Sequence, residues 1–267
     1  MQLRVINVLF LGRVDYATAL ELQQTIVGLV KAARVGHTLL LLEHPPVITL
    51  GRNAGAENVV ASRESLFAEG VELFETDRGG DVTFHGPGQL VGYPIFNLRA
   101  FDPRIGALEF VRKMEEGLIR TCGDLGVVTG RIPAMTGVWT QSTVPAKIAA
   151  IGVHISRAVT SHGFALNVTT NLDYFKLIVP CGLVGKPVTS LAVELRTIDP
   201  RRPVPSLEET AEMVSRNFGR VFEAQTLWLE SLDQLMAASQ CPANQDTPLR
   251  APENIRKIAV KEDIYLA

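Results

Sequence analysis

The sequence predicts an α+β fold, a mixed β-sheet with packed helices. Apolar residues recur at helical spacing in three separated segments, runs of strand composition surround them, and the long stretch between the second and third helices reads as strands. Residues 3–11 are strand-like and end at Gly12-Arg13. Over 16–33, Ala17, Leu20, Leu22, Ile26, Leu29, Val30 and Ala33 keep helical spacing, with Asp15 in a capping position. Residues 38–42 and 47–50 read as strand, tight turn, strand about Glu43-His44-Pro45-Pro46. Residues 71–75 alternate as a strand and run into a glycine-dense loop over 78–88, with another strand at 90–96. A second helix fits Ala107, Leu108, Val111, Leu118, Ile119 and Cys122. Residues 136–140, 146–156, 159–168 and 191–198 all have strand composition. The third helix follows Ser206, whose S-x-x-E pattern with Glu209 is a capping box. After about residue 235 the composition turns polar and irregular, so one catalytic-size domain over 1–235 and a tail over 236–267 are expected.

Composition narrows the function. Of 267 residues, 46% are hydrophobic and 20% charged, which excludes a mostly disordered chain. With 26 basic against 28 acidic residues the net charge is -2, and no whole-protein field favours nucleic acid or an anionic membrane. No run of about 18 apolar residues marks a membrane span. Cys122, Cys181 and Cys241 form no C-x-x-C pair and are too sparse for a disulfide framework. With no targeting signal visible, a cytoplasmic protein is expected, and a monomer is favoured. No histidine pair has metal-ligand spacing, so no metal and no cofactor is expected.

Three places carry chemistry. The loop Arg78-Gly79-Gly80-Asp81-Val82-Thr83-Phe84-His85-Gly86-Pro87-Gly88-Gln89 lets the backbone approach a ligand, while Arg78 and His85 supply side-chain donors. It lacks the Gly-Lys-Ser/Thr ending of a P-loop, and the alternative is a hairpin connection that needs positive φ angles. In a strand, Lys147 shares a face with Ala149, Ile151, Val153 and Ile155, and burial disfavours an ammonium, the usual route by which a lysine becomes a proton acceptor. The alternative is a lysine at a strand end reaching water. On the next strand Gly163 and Ala165 share a face and leave a slot for an extended apolar chain or a packed helix. Cys181, in Val179-Pro180-Cys181-Gly182, sits in a turn and is the nucleophile candidate, with Lys147 and His162 as candidate bases. Cys122 and Cys241 are assigned to packing or chance.

These residues resemble the lipoyl(octanoyl) transferases. The match runs in order through Glu43-His44-Pro45-Pro46-Val47, the loop from Arg78 to Leu90, Tyr93-Pro94, Ala146-Lys147-Ile148-Ala149-Ala150-Ile151-Gly152-Val153, His162-Gly163-Phe164-Ala165-Leu166-Asn167 and Pro180-Cys181-Gly182. The resemblance implies a fold like the biotin and lipoate protein ligase catalytic domain, and a Cys181/Lys147 dyad. It implies an acyl pocket lined by Arg78, Gly79, Gly80, Asp81, Val82, Thr83, Phe84 and His85, by Ala150, Ile151 and Gly152, and by Gly163, Phe164 and Ala165. The implied donor is octanoyl-acyl carrier protein. The implied acceptors are lipoyl domains of 2-oxoacid dehydrogenase E2 subunits and the glycine cleavage H protein.

Residue chemistry and resemblance meet in one expected mechanism. Lys147 takes the thiol proton of Cys181, the thiolate attacks the carrier thioester, and a target lysine then attacks the S-octanoyl enzyme. Thioester exchange is nearly balanced and amide formation is downhill, so no ATP is needed. Backbone N–H groups at Gly79-Gly80 or beside Cys181 are the candidates to hold the oxyanion. Each buried methylene is worth about 0.8 kcal/mol, so an eight-carbon tail gains on the order of 5 kcal/mol. Two alternatives stand beside this. An ATP-dependent ligase of the same fold needs no cysteine; the lipoate ligases carry aspartate after the loop histidine, where this chain has Gly86. A non-catalytic acyl-chain or lipoyl-domain binder is the alternative from another class.

Overall fold

The computed structural model describes residues 4–179 and 186–237. In chain order the described elements are β1 (Val5–Arg13), α1 (Tyr16–Lys31), β2 (His37–Glu43), β3 (Val47–Leu50), α2 (Arg63–Ala68), β4 (Glu72–Glu75), β5 (Val82–His85), β6 (Gln89–Ile95) and α3 (Ala107–Asp124). They continue with β7 (Thr129–Ile132), β8 (Met135–Thr140), β9 (Lys147–Ser156), β10 (Val159–Asn167), α4 (Leu191–Ile198), α5 (Leu207–Phe222), β11 (Gln225–Trp228) and α6 (Leu232–Ala237).

Eight strands form a mixed sheet in the order β11-β1-β2-β6-β10-β9-β8-β7, and β4-β3-β5 form a second, small sheet. The large sheet is parallel at β11/β1 and β1/β2 and antiparallel beyond. Strand alternation sorts its side chains into two cores. Leu39, Leu41 and Leu90 face α3, α4 and α5 with Phe110, Leu195 and Phe218, while Leu40, Leu42 and Val91 face α1 and α6 with Leu22, Ile26 and Leu235. Both helices expected to be capped are: Asp15 accepts from Thr18 N at 2.9 Å, and Ser206 and Glu209 complete their capping box. The small sheet has its own core of Ile48, Leu66, Val71, Val82, Phe84, Phe175 and Ile178.

Several sequence expectations change. Residues 191–198 form a helix, not a strand. Ser190 Oγ accepts from Val193 N at 3.3 Å, and Leu191, Ala192 and Leu195 bury one helical face. Val193 and Ile198, which supplied the strand composition, are exposed at 46% and 55%. The consecutive strands β2 and β3 do not pair with each other: the Glu43-His44-Pro45-Pro46 turn carries the chain from the large sheet to the small one. The glycine-dense loop is divided by β5, which pairs with β3. The expected boundary at 235/236 falls inside α6, whose Met236 is buried in the α1-side core.

Candidate functional site

A cleft opens between the loop leading into β5 and the middle of β9 and β10. The loop is pinned to the large sheet by Gly79 N, which donates to Val153 O at 2.9 Å. It is pinned to the small sheet by Arg52 N on Arg78 O (3.0 Å) and Asn53 N on Gly80 O (3.1 Å). This approach is close enough that a Cβ at Gly152 would stand 2.6 Å from Gly79 O. At Gly163 a Cβ would run into the Gly92 carbonyl and come to 2.5 Å from Pro94 Cδ. Glycine at both positions is therefore a steric requirement of strand and loop packing.

All the predicted lining residues except Val82 and Phe84 face this cleft. Alternation along β5 sends Thr83 and His85 inward and turns Val82 and Phe84 into the small-sheet core, where Phe84 stacks on Tyr174 at 4.7 Å. These two residues back the wall instead of lining it. Tyr16, Val91, Tyr93 and His162 line the cleft as well. Tyr93 and His162 fall in quoted motifs, whereas the contribution of Tyr16 and Val91 depends on packing of α1 and β6 across the β10 region, which no local motif encodes.

A buried polar chain fixes the floor. Arg78 is 7% exposed and donates to Thr49 O at 2.6 Å and, through Nε and Nη2, to Thr49 Oγ1 at 3.1 and 2.9 Å. Gln89 Nε2 donates to Phe84 O and Asn167 Oδ1, so its Oε1 accepts from His85 Nδ1 at 2.8 Å. That sets the His85 tautomer and leaves Nε2 as an acceptor toward Thr49 Oγ1. His44 is fixed the same way: Nδ1 donates to Val14 O and Nε2 accepts from Tyr93 Oη, both at 2.7 Å. Burial pushes His85 down to about 3 and His44 down to about 4, so both rings are neutral, and it pushes Tyr16 up to about 12. The Tyr16 and His85 rings on the walls are therefore uncharged, beside the buried guanidinium of Arg78. Asp81 at the rim accepts from Asn58 Nδ2 at 2.6 Å and from Val82 N at 2.7 Å.

Lys147 stands at the start of β9, three residues before Ala150. It is 7% exposed, with Nζ 4.8 Å from the centroid of the Trp139 ring. Its backbone pairs with residues 187–189: its N donates to Pro187 O and Thr189 N donates to its O, both at 2.9 Å. Cys181 and Cys241 lie outside the described residues. The described chain before Cys181 ends at Val179, whose N donates to Asn58 O at 2.8 Å, beside Asp81.

His162, expected as a second base candidate, sits elsewhere. It pairs across the ladder with Val153, six residues along β9 from Lys147, a strand distance of roughly 20 Å. Its Nε2 donates to Asp77 Oδ1 at 2.7 Å, and His154 Nδ1 lies 2.8 Å from Asp77 Oδ2. Burial holds His162 below its ordinary range despite the pull of Asp77. For Asp77 burial acts upward, and the His162 hydrogen bond and the two histidines outweigh it, so its carboxyl is lowered. Cys122 is buried on α3, where burial pushes its thiol up to about 12, consistent with a packing role.

Comparison with known proteins shows the family. Residues 15–219 match the family described as the lipoyl protein ligase A/B catalytic domain. An octanoyltransferase of Koribacter versatilis is 59% identical over 98% of this chain and 100% of its own length. One of Acidobacterium capsulatum is 57% identical over 87% of this chain and 96% of its own. The fold is shared with a bipartite lipoate protein ligase of Thermoplasma acidophilum, at a TM-score of 0.62 and 17% identity over 85% of this chain and 88% of that one. The chain therefore belongs to the lipoyl protein ligase A/B catalytic-domain family, among its octanoyltransferases.

Proposed function

We propose that this acyltransferase moves an octanoyl group from acyl carrier protein to the lysine of a lipoyl domain through an S-octanoyl intermediate on Cys181, with Lys147 as the proton acceptor. The acceptors in this reading are lipoyl domains of 2-oxoacid dehydrogenase E2 subunits and the glycine cleavage H protein. The observation that carries it is the placement of Lys147: a buried lysine three residues along β9 from Ala150 of the cleft, paired through its backbone with the segment that follows Cys181 by a few residues. Val179, two residues before Cys181, is bonded to Asn58 at the cleft rim. A two-residue tether reaches at most about 7 Å.

The chemistry then runs in two steps. The Cys181 thiol gives its proton to the Lys147 amine, the thiolate adds to the octanoyl thioester, and the carrier thiol leaves with a proton returned from Lys147. The lipoyl-domain lysine, as a free amine, adds to the new thioester, passes its surplus proton to the Lys147 amine, and expels the cysteine thiolate, which takes that proton back as the amide forms. Gly79 N–H is committed to Val153 O, so an oxyanion donor from the loop comes from Gly80 or beyond.

The test is intact-protein mass spectrometry after incubation with octanoyl-acyl carrier protein and no ATP. An octanoyl adduct on the wild type, absent in Cys181→Ser and formed more slowly in Lys147→Ala, is the expected result. No adduct on any variant, together with modification of a lipoyl domain from free octanoate and ATP, would replace this reading with a ligase.

A further inference from the structure

One side chain is shared by two cavities. His162 lines the cleft, and its other side lines an outer groove of about 580 Å³ between α1 and the β9–β10 hairpin. The groove walls are mixed, with Gln23, Gln24, Lys31, Asp77 and Ser161 beside Leu20, Val27 and Val159. We propose that the His162–Asp77 pair is the end wall of the acyl slot, and that it sets the length of the acyl chain the enzyme accepts. This rests on the reading of the cleft as the acyl slot.

The wall is built at a local break in the sheet. Pro94 on β6 has no N–H to offer β10, and its carbonyl accepts instead from Thr160 Oγ1 at 2.6 Å. The β6–β10 ladder stops at Phe164, and His162 takes a left-handed φ of 55°. Its N–H turns away to Gln23 Oε1 on α1 at 2.9 Å, and its ring is held by Asp77. Two independent anchors thus fix a residue that is 3% exposed.

The length of the cleft fits a stop. Along β9 the cleft lining begins at Ala150, and from there to Val153, the partner of His162, the strand advances roughly 10 Å, about the length of an extended eight-carbon chain. Methylenes inside the slot are buried among neutral rings. Any that pass the wall enter the wider outer groove, among Gln23, Gln24, Lys31, Asp77 and Ser161. Extra carbons in that wider space bury less apolar surface per methylene than those inside the slot.

The experiment compares kcat/KM for octanoyl- and dodecanoyl-acyl carrier protein, with a lipoyl domain as acceptor, in wild type, His162→Gly and Asp77→Ala. Glycine suits the left-handed backbone at 162 and removes the wall. The dodecanoyl-to-octanoyl ratio is expected to rise about tenfold or more in His162→Gly, and by less in the same direction in Asp77→Ala. An unchanged ratio in both variants, or an equal loss for both donors, overturns the wall. If the wild type transfers no octanoyl group, the slot reading itself fails. Should His162→Gly prove unfolded by urea titration, Asp77→Ala decides alone, because the Asp77 side chain is 59% exposed and tolerates truncation.

Discussion

Between α3 and α5, Phe110, Met114 and Leu118 pack with Val214, Phe218 and Phe222, and ring centroids such as Phe110–Phe222 and Phe218–Phe222 lie 5.8 and 5.7 Å apart. Around the cleft the contacts are of another kind: loop carbonyls against bare glycine backbone, and a chain of donors and acceptors from Arg78 through Thr49, His85 and Gln89 to Asn167. The first region stabilises through apolar area, which tolerates rearrangement at a cost proportional to what is lost. The second holds positions, and small displacements there act on chemistry before they act on stability.

Four substitutions or conditions separate the two regions. Phe218→Ala empties the helix-backed core and is expected to destabilise by about 3–5 kcal/mol in urea unfolding, with octanoyl transfer per folded molecule retained. A comparable loss of turnover in the folded fraction would break the distinction. Gly152→Ala places a Cβ 2.6 Å from Gly79 O, so the loop must shift. Its kcat/KM for octanoyl transfer should fall about a hundredfold. If the unfolding midpoint falls as far as in Phe218→Ala, the glycine is a core residue after all.

Acidification should act through both regions. His44 and His85 at the cleft, and His37 beside Phe101, have folded values of about 4, 3 and 4, lowered first by burial. Their unfolded value is about 6.5. Below that, the unfolded chain binds protons that the folded chain refuses, so stability is full above about 6.5 and declines as pH falls toward 4. The slope is about 1.4 kcal/mol per pH unit for each histidine, and urea titrations at several pH values should show it shrink in His44→Gln. The smallest effect belongs to Ser206→Ala, which removes the α5 cap. A loss of about 1 kcal/mol with unchanged transfer is expected.

Periodicity made the scaffold legible. The three long helices and the strands β9 and β10 follow directly from apolar spacing and capping residues, since those signals are local. The error at 191–198 has a plain cause: Val193, Thr197 and Ile198 carry strand composition on the solvent side of a helix whose buried face is only Leu191, Ala192 and Leu195. The separation of β2 from β3 was not legible, because two prolines after His44 read as a tight turn whichever sheet receives the next strand. At the cleft, ordered motifs located most lining residues, but the facing of Val82 and Phe84 depends on which side of β5 carries the small-sheet core. Tyr16 and Val91 reach the cleft only through long-range packing, and nothing near them in the sequence announces it.

Pro94 gives the architecture a further meaning. A proline well inside an eight-stranded sheet is ordinarily a flaw, and here three remote groups, the Thr160 hydroxyl, the Gln23 amide and the Asp77 carboxylate, answer for one lost rung. Were the rung present, β6 and β10 would zip through His162 and the ring would have no reason to leave the ladder. The capacity to terminate a bound chain would then originate in a missing hydrogen atom, one pyrrolidine nitrogen at the middle of the molecule.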